Sequence, residues 1–330
     1  MTVSSSNPDR LPIPPDDLGP IIRVGGDRRL EAVRRLVDGG VRGDPDHARR
    51  FLETSASMGI SLDDMFARLN ATDRIVATVL AVRSPGRTAM LFASRLRHHE
   101  DVRSLSGVIA HVGACLDEQS VTLAQALLDP SEVLEHRAFI EGGFTELAAL
   151  SYLERPIPAR RQVSRIVWPT DVRVEPYDAS LRDDVVALLE ATYIETRDCP
   201  GLLGVRDTSD IFDGHQATGE FDSSLWTLLF IDDVISGVLM LNPSISSQSV
   251  ELVYIGLAPH ARGRGLGTLL LQHGLSLISG RSERSVTLAV DDDNTPALAM
   301  YKREGFRRFL RRRALIRAVA HNSREFSTDH

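Results

Sequence analysis

The sequence predicts two α/β (α+β) domains in tandem, and three observations carry that prediction. The chain has 330 residues, where a domain commonly holds about 100–200. Runs with a strand's period alternate with runs of helical period through both halves. The order of elements from 88 to 153 is repeated from 251 to 318 at an offset of 162 or 163 residues, which reads as an internal duplication. We divide the chain into a disordered tail (1–20), a first domain (21–155), a linker (156–171), a second domain (172–320) and a tail (321–330).

In the first domain, Leu30, Val33, Leu36 and Val37 share one helical face, and a second helix is expected near Asp46 to Ser57. Arg74–Val82 and Thr88–Ser94 read as strands joined at Ser84-Pro85-Gly86-Arg87, whose residue types suit a hairpin turn. Helix Val102–Leu116, strand Val121–Leu128, helix Ser131–Glu141 and strand Phe144–Leu153 follow. The linker is stiffened by Pro156, Pro158 and Pro169. The second domain opens with Val172-Arg173-Val174 and a helix from Leu181 to Thr192. A mixed stretch with a helix near Ser209–Thr218 leads to a hairpin, Leu225–Ile231 and Val234–Leu241, turning at Asp232-Asp233. A strand from Ser249, a helix carrying Leu269 to Ile278, strand Ser285–Val290, a helix after Asn294 and a terminal strand complete it.

The chemistry concentrates at Arg262-Gly263-Arg264-Gly265-Leu266-Gly267, between the strand and the helix. A glycine-rich turn opening a helix aims backbone N–H groups and the positive end of the helix dipole at an anion. No Gly-Lys-Ser/Thr follows, which excludes a P-loop. The glycines recur at every second residue, which also excludes the dinucleotide fingerprint. The pattern Arg-x-x-Gly-x-Gly (Arg262, Gly265, Gly267) remains. A second pattern follows in order: Asn294, Ala297, Tyr301 and Gly305-Phe306. With these residues the segment resembles the GNAT superfamily of N-acetyltransferases, with specific motifs confined to 251–306.

The resemblance implies two GNAT-like domains, each a mixed, mostly antiparallel sheet flanked by helices, and acetyl-CoA as acyl donor. It implies coenzyme contacts at Leu257, Ala258, Arg262, Gly263, Arg264, Gly265, Leu266, Gly267, Thr268, Asn294, Ala297 and Tyr301. It places a catalytic base at Glu251, an acid at Tyr301 beside the coenzyme sulfur, and an oxyanion donor at the Leu257 backbone N–H, on a strand expected to bulge there. Asn294 is equally a helix N-cap. The acceptor is an amine, and Asp198, His215 and Trp226 are pocket candidates by position. No acyl-carrying nucleophile is evident, so direct transfer in a ternary complex is expected, with no metal. The first repeat carries His99-Glu100-Asp101-Val102-Arg103-Ser104 in place of the glycine turn, with Ser131 under Asn294 and Ala138 under Tyr301. It is therefore expected to be degenerate, an arrangement similar to tandem GNAT enzymes. The other reading is a non-catalytic acyl-CoA-binding sensor.

A net charge of −7 argues against nucleic acid as partner, and Arg307, Arg308, Arg311, Arg312 and Arg313 read as a solvated strand face. Two cysteines without metal spacing and the lack of a long apolar run lead us to expect a cytoplasmic protein without a membrane partner.

Overall fold

A ten-element order, strand, two helices, three strands, helix, strand, helix, strand, runs through the chain twice. The computed structural model describes residues 18–38, 45–96, 102–162, 165–244 and 247–318. The tails expected at 1–20 and 321–330 lie outside these apart from Leu18–Pro20, which open a strand. Residues 97–101, with His99, Glu100 and Asp101, also lie outside.

The first pass comprises β1 (Leu18–Arg23), α1 (Arg29–Asp38), α2 (Pro45–Ser55), β2 (Met65–Asn70), β3 (Ile75–Ser84), β4 (Thr88–Ala93), α3 (Val102–Glu118), β5 (Leu123–Leu128), α4 (Val133–Glu141) and β6 (Thr145–Pro156). The second comprises β7 (Val172–Pro176), α5 (Arg182–Tyr193), α6 (Thr208–Ala217), β8 (Trp226–Ile231), β9 (Val234–Ser244), β10 (Ser249–Leu257), α7 (Leu266–Leu277), β11 (Ser285–Asp291), α8 (Thr295–Arg303) and β12 (Arg307–Ala318). The duplication therefore starts earlier than Thr88. Two strands, β1 and β2, were not legible as strands. The first carries Gly19 and Pro20, residues tolerated at a sheet edge, and the second, Met-Phe-Ala-Arg-Leu-Asn, is rich in helix formers.

Toward the end of each pass the two copies share one offset, 162 residues: Val133 answers to Thr295 and Thr145 to Arg307. Glu132 and Asn294, the N-caps of α4 and α8, have the same φ −79° and ψ 64°, and Gly143 and Gly305 both take positive φ, 91° and 86°. This corrects the sequence alignment: Glu132, not Ser131, stands under Asn294, and Phe139, not Ala138, under Tyr301.

The chain divides into two units. One contains the described residues up to Arg83, Ala89–Glu146 and Leu315–Arg317; the other contains Ser84–Thr88 and Leu147–Ala314. In the first, β1 to β5 lie side by side in chain order. Leu105, Val108, Ile109 and Val112 of α3 pack with Ala77, Val79 and Leu315 on one core. Ala32, Val33 and Ala48 pack with Met65, Ala67 and Leu80 on the other.

In the second unit the strand order is β12-β6-β11-β10-β9-β8-β7. Strands β7 to β10 are antiparallel to one another, β10 and β11 are parallel, and β11 pairs antiparallel with Leu150–Pro156 of β6. Alternation along β9 supplies both faces. Leu239 and Leu241 join Leu266, Leu270, Leu271 and Leu275 of α7, while Val238 and Met240 join Val185, Leu188 and Leu189 of α5 and Phe212 of α6. A sheet covered on both faces needs continuously apolar strands, and β8 is buried at every residue. The β8–β9 turn has positive φ at both Asp232 (46°) and Asp233 (65°), the hairpin geometry whose twist suits the flanking strands.

Candidate active site

The site arises where two strands of the second unit part. Strands β10 and β11 pair only from Ser249–Glu251 to Ser285–Thr287. Beyond that point β10 continues to Leu257 against β9, and β11 continues to Asp291 against β6. A cavity of about 860 Å³ opens between them, lined by Leu252–Leu257 on one side and Ala289 and Val290 on the other. The β10–β9 register shifts between Leu252 and Tyr254, so the bulge sits at Val253. The sequence had placed it at Leu257, which instead pairs regularly with Gly237. Because the Ala258 N–H donates to the Ser236 carbonyl at 2.9 Å, alternation along the strand turns the Leu257 N–H away from β9, toward the cavity.

One end of the cavity is formed by the glycine turn. Gly263 and Gly265 have φ of 76° and 75°, and a Cβ at either would meet nothing within 4 Å. Their glycine requirement is therefore conformational rather than one of space inside the protein. Gly265 is the N-cap of α7, and no side chain caps this helix. The first amides of a helix lack intrahelical partners, and Gly265, Leu266 and Gly267 line the cavity, while the Thr268 N–H, also in the lining, donates to the Gly265 carbonyl at 3.1 Å. The arrangement leaves a cluster of N–H donors and the positive dipole end facing an open space, where an anion is favoured.

The two arginines of the turn differ. Arg262 lines the cavity, but its guanidinium donates to the carbonyls of Leu257 (3.1 Å), Ile194 (2.7 Å) and Thr192 (2.8 Å). It thus ties the end of α5 to the end of β10. Arg264 is outside the lining and pairs with Asp171 at 2.6 Å.

Asn294, Ala297 and Tyr301 also line the cavity. The Asn294 side chain accepts from the Ala297 N–H at 3.4 Å, which is the capping bond. Tyr301 is buried and meets Phe306 edge-on at 5.6 Å. Burial raises its pKa first, and the Asp198 carboxylate and Tyr254 raise it further. Asp198 lines the same space and accepts from the Asp291 N–H at 3.0 Å.

Glu251 stands one residue before the lining begins, opposite Asn242 and Thr287. Burial holds its carboxyl above the ordinary range. Three further candidates fall outside the lining. Ala258 is buried. Trp226 is fully buried in the core, its Nε1–H donating to Asn242 Oδ1 at 2.7 Å, so as a pocket residue it is corrected. His215 stacks on Tyr254 with ring centroids 5.3 Å apart; burial, helped by the Arg206 charge, pushes its pKa down to about 4. Cys199 has its thiol pushed up to about 12 by burial, with Asp198 and Asp291 adding, which keeps it a protonated thiol and a poor nucleophile.

The resemblance places the acceptor pocket in the stretch 193–219, but sequence reasoning did not name the wall residues Thr192, Tyr193 and Glu195–Arg197, nor Tyr254, Met300 and Arg303. Tyr254 was recoverable in principle, since a polar-tipped aromatic on an apolar strand needs a partner; its hydroxyl pairs with Thr192 Oγ1 at 2.7 Å.

Residues 189–306 match the model of the acetyltransferase (GNAT) family. A mycothiol acetyltransferase of Clavibacter sepedonicus is 33% identical over 150 residues, 45% of this chain and 47% of that protein. One from Clavibacter michiganensis subsp. michiganensis is 31% identical over 198 residues, 60% and 56% respectively. The chain thus spans about half the length of these curated relatives. Among solved structures, a GCN5-related N-acetyltransferase from Sphaerobacter thermophilus has a TM-score of 0.57 at 16% identity, covering 90% of this chain and 95% of that one. A tandem GNAT protein from the clavulanic acid biosynthesis pathway has a TM-score of 0.51 at 14% identity, covering 92% and 99%. At these identities the likeness is one of fold.

Proposed function

We propose, on the premise that residues 189–306 are a domain of the acetyltransferase (GNAT) family, that this chain transfers an acetyl group from acetyl-CoA to an amine acceptor by direct transfer in a ternary complex. The observation that supports it is the meeting of an uncapped helix start with parted strands in one cavity that Tyr301 also lines. In this reading the diphosphate of the donor rests on the amides from Gly263 to Gly267, and its pantetheine arm runs between β10 and β11. Arg262 shapes the turn, Asn294 and Ala297 border the arm, and the Leu257 N–H receives the oxyanion formed on attack. An oxyanion donor of this kind is worth about 3–4 kcal/mol of barrier.

An amine of Lys type has a pKa near 10.4 and must lose a proton before attack. Glu251 takes that proton, through water because it stands just outside the cavity lining, and burial makes it a better base than an exposed carboxylate. The nitrogen bonds to the thioester carbon, the C–S bond breaks, and sulfur leaves with the electron pair. Tyr301 stays a neutral phenol at working pH. Since a thiol has a pKa of about 8.5, below that of this phenol, Tyr301 contributes a hydrogen bond to the developing thiolate, and solvent completes the protonation.

The amines of mycothiol-type precursors head the acceptor panel because the relatives carry that name. Release of free thiol from acetyl-CoA, dependent on one of the amines offered, is the expected outcome. The position of Glu251 outside the lining favours a second reading, a sensor that binds acyl-CoA without turnover. Tight binding with no amine-dependent thiol release from any acceptor would select the sensor.

A further inference from the structure

Asp198 has surroundings that the transfer reading leaves unused. It lies on the segment after α5 and is exposed to the cavity that it lines. Its carboxylate accepts from the Asp291 N–H at 3.0 Å and is hydrogen-bonded by the Asn294 side chain. Among the described residues it has no cationic partner within ion-pair distance. Burial raises its pKa, and the nearby Asp291 charge adds to the rise.

Three phenols wall the same space: Tyr193, Tyr254 and Tyr301. Each has its pKa raised by burial first, and the Asp198 charge contributes to all three. Tyr193 and Tyr254 meet edge-on at 6.1 Å, and the Tyr254 hydroxyl is held by Thr192 Oγ1. The walls are therefore fixed before a ligand arrives. A single carboxylate among rigid aromatic faces attracts a cation twice, by charge and by the ring quadrupoles.

We propose that Asp198 holds the acceptor as its ammonium ion against Tyr193, Tyr254 and Tyr301, so that the site takes a cationic amine with an apolar neighbour and passes over its neutral isostere. This assignment rests on the transfer reading for the name acceptor, but binding itself does not require the donor. Asp198 is then a binding residue that presents the amine, and the proton is taken by a different group.

The test uses benzylamine and benzyl alcohol as a matched pair, with binding to the full chain followed by ligand-observed NMR without donor. Wild type is expected to bind the amine at least tenfold more tightly than the alcohol. Asp198→Asn keeps a side-chain oxygen for the Asp291 N–H, so the loop stays closed. It is expected to lose at least tenfold in amine affinity while alcohol binding is unchanged. Equal affinity of wild type for the two probes would overturn the proposal without any variant. So would an Asp198→Asn protein that binds amine as wild type does, or one that loses both probes alike. A separate acetyl-CoA titration keeps the two ideas apart: failure to bind the donor sinks the transfer reading and leaves the amine result standing.

Discussion

Glu251 and Tyr301 carry the chemistry at the residue scale, and their surroundings set what each can do. A base acts when deprotonated, and burial has raised the Glu251 pKa above the ordinary 4.5. The amine-dependent rate should therefore fall with decreasing pH through a limb that lies above the range of an exposed carboxylate. Glu251→Gln should abolish that limb and lower kcat by about 10²–10⁴, with acetyl-CoA affinity kept; an unchanged pH–rate profile would remove Glu251 from the mechanism. Tyr301→Phe should fold normally, because Phe139 occupies the equivalent position of the first unit and meets Phe144 edge-on at 5.1 Å, as Tyr301 meets Phe306. Its effect should appear in kcat and be largest with acceptors for which thiol departure limits the rate. A fall in melting temperature of the same size as the loss of activity would assign Tyr301 to the core instead. The motif residues could be read because glycine, Asn and Tyr at fixed spacing have few other uses. The acceptor wall could not, since Tyr193 and Thr196 look like any loop residues until Arg262 ties the loop down.

The decisive element is β10, which belongs to a packed sheet at its start and to an open cavity at its end. Its bulge at Val253 adds one residue to the strand, and a bulge bends and twists the strand that carries it. Deleting Val253 should restore a regular ladder in which Tyr254 still pairs with Met240 and Leu257 with Gly237, so the faces are kept and the local bend and twist that carry the end of β10 away from β11 are lost. The expected result is a folded protein that no longer binds acetyl-CoA, measured by titration beside circular dichroism; retained binding would show that the bulge does not shape the cavity. Apolar runs and hairpin residues made β8, β9 and most helices legible. The bulge was foreseen on this strand but four residues too late, because an apolar run such as Leu252 to Leu257 does not mark where its register slips. Strands β1 and β2 escaped for the opposite reason: their residues favour an edge or a helix, and only pairing, for example Ile22 with Ala67, makes them strands.

For the whole molecule, the duplication explains both what repeats and what differs. The copies share caps and turn dihedrals to within a few degrees at α4 and α8, yet Glu132 replaces Asn294 and Phe139 replaces Tyr301. The second unit also draws in residues from before the linker. Leu150–Pro156 pair along all of β11, and Leu153 lies in the core beneath α7 and α8. Both tryptophans, Trp168 and Trp226, belong to the second unit, so their fluorescence reports that unit's unfolding. Leu153→Ala should lower its stability by about 2–5 kcal/mol in a urea titration; an unmoved midpoint would mean that β6 contributes little to the unit that holds the site.

The central claim is that main-chain amides of the turn before α7 grip the donor's diphosphate. Its most direct test is calorimetric titration of acetyl-CoA into wild type and Gly265→Asp, with melting curves confirming that both are folded. A carboxylate set at that helix start should weaken binding at least tenfold. Equal affinity in the two proteins would contradict the account.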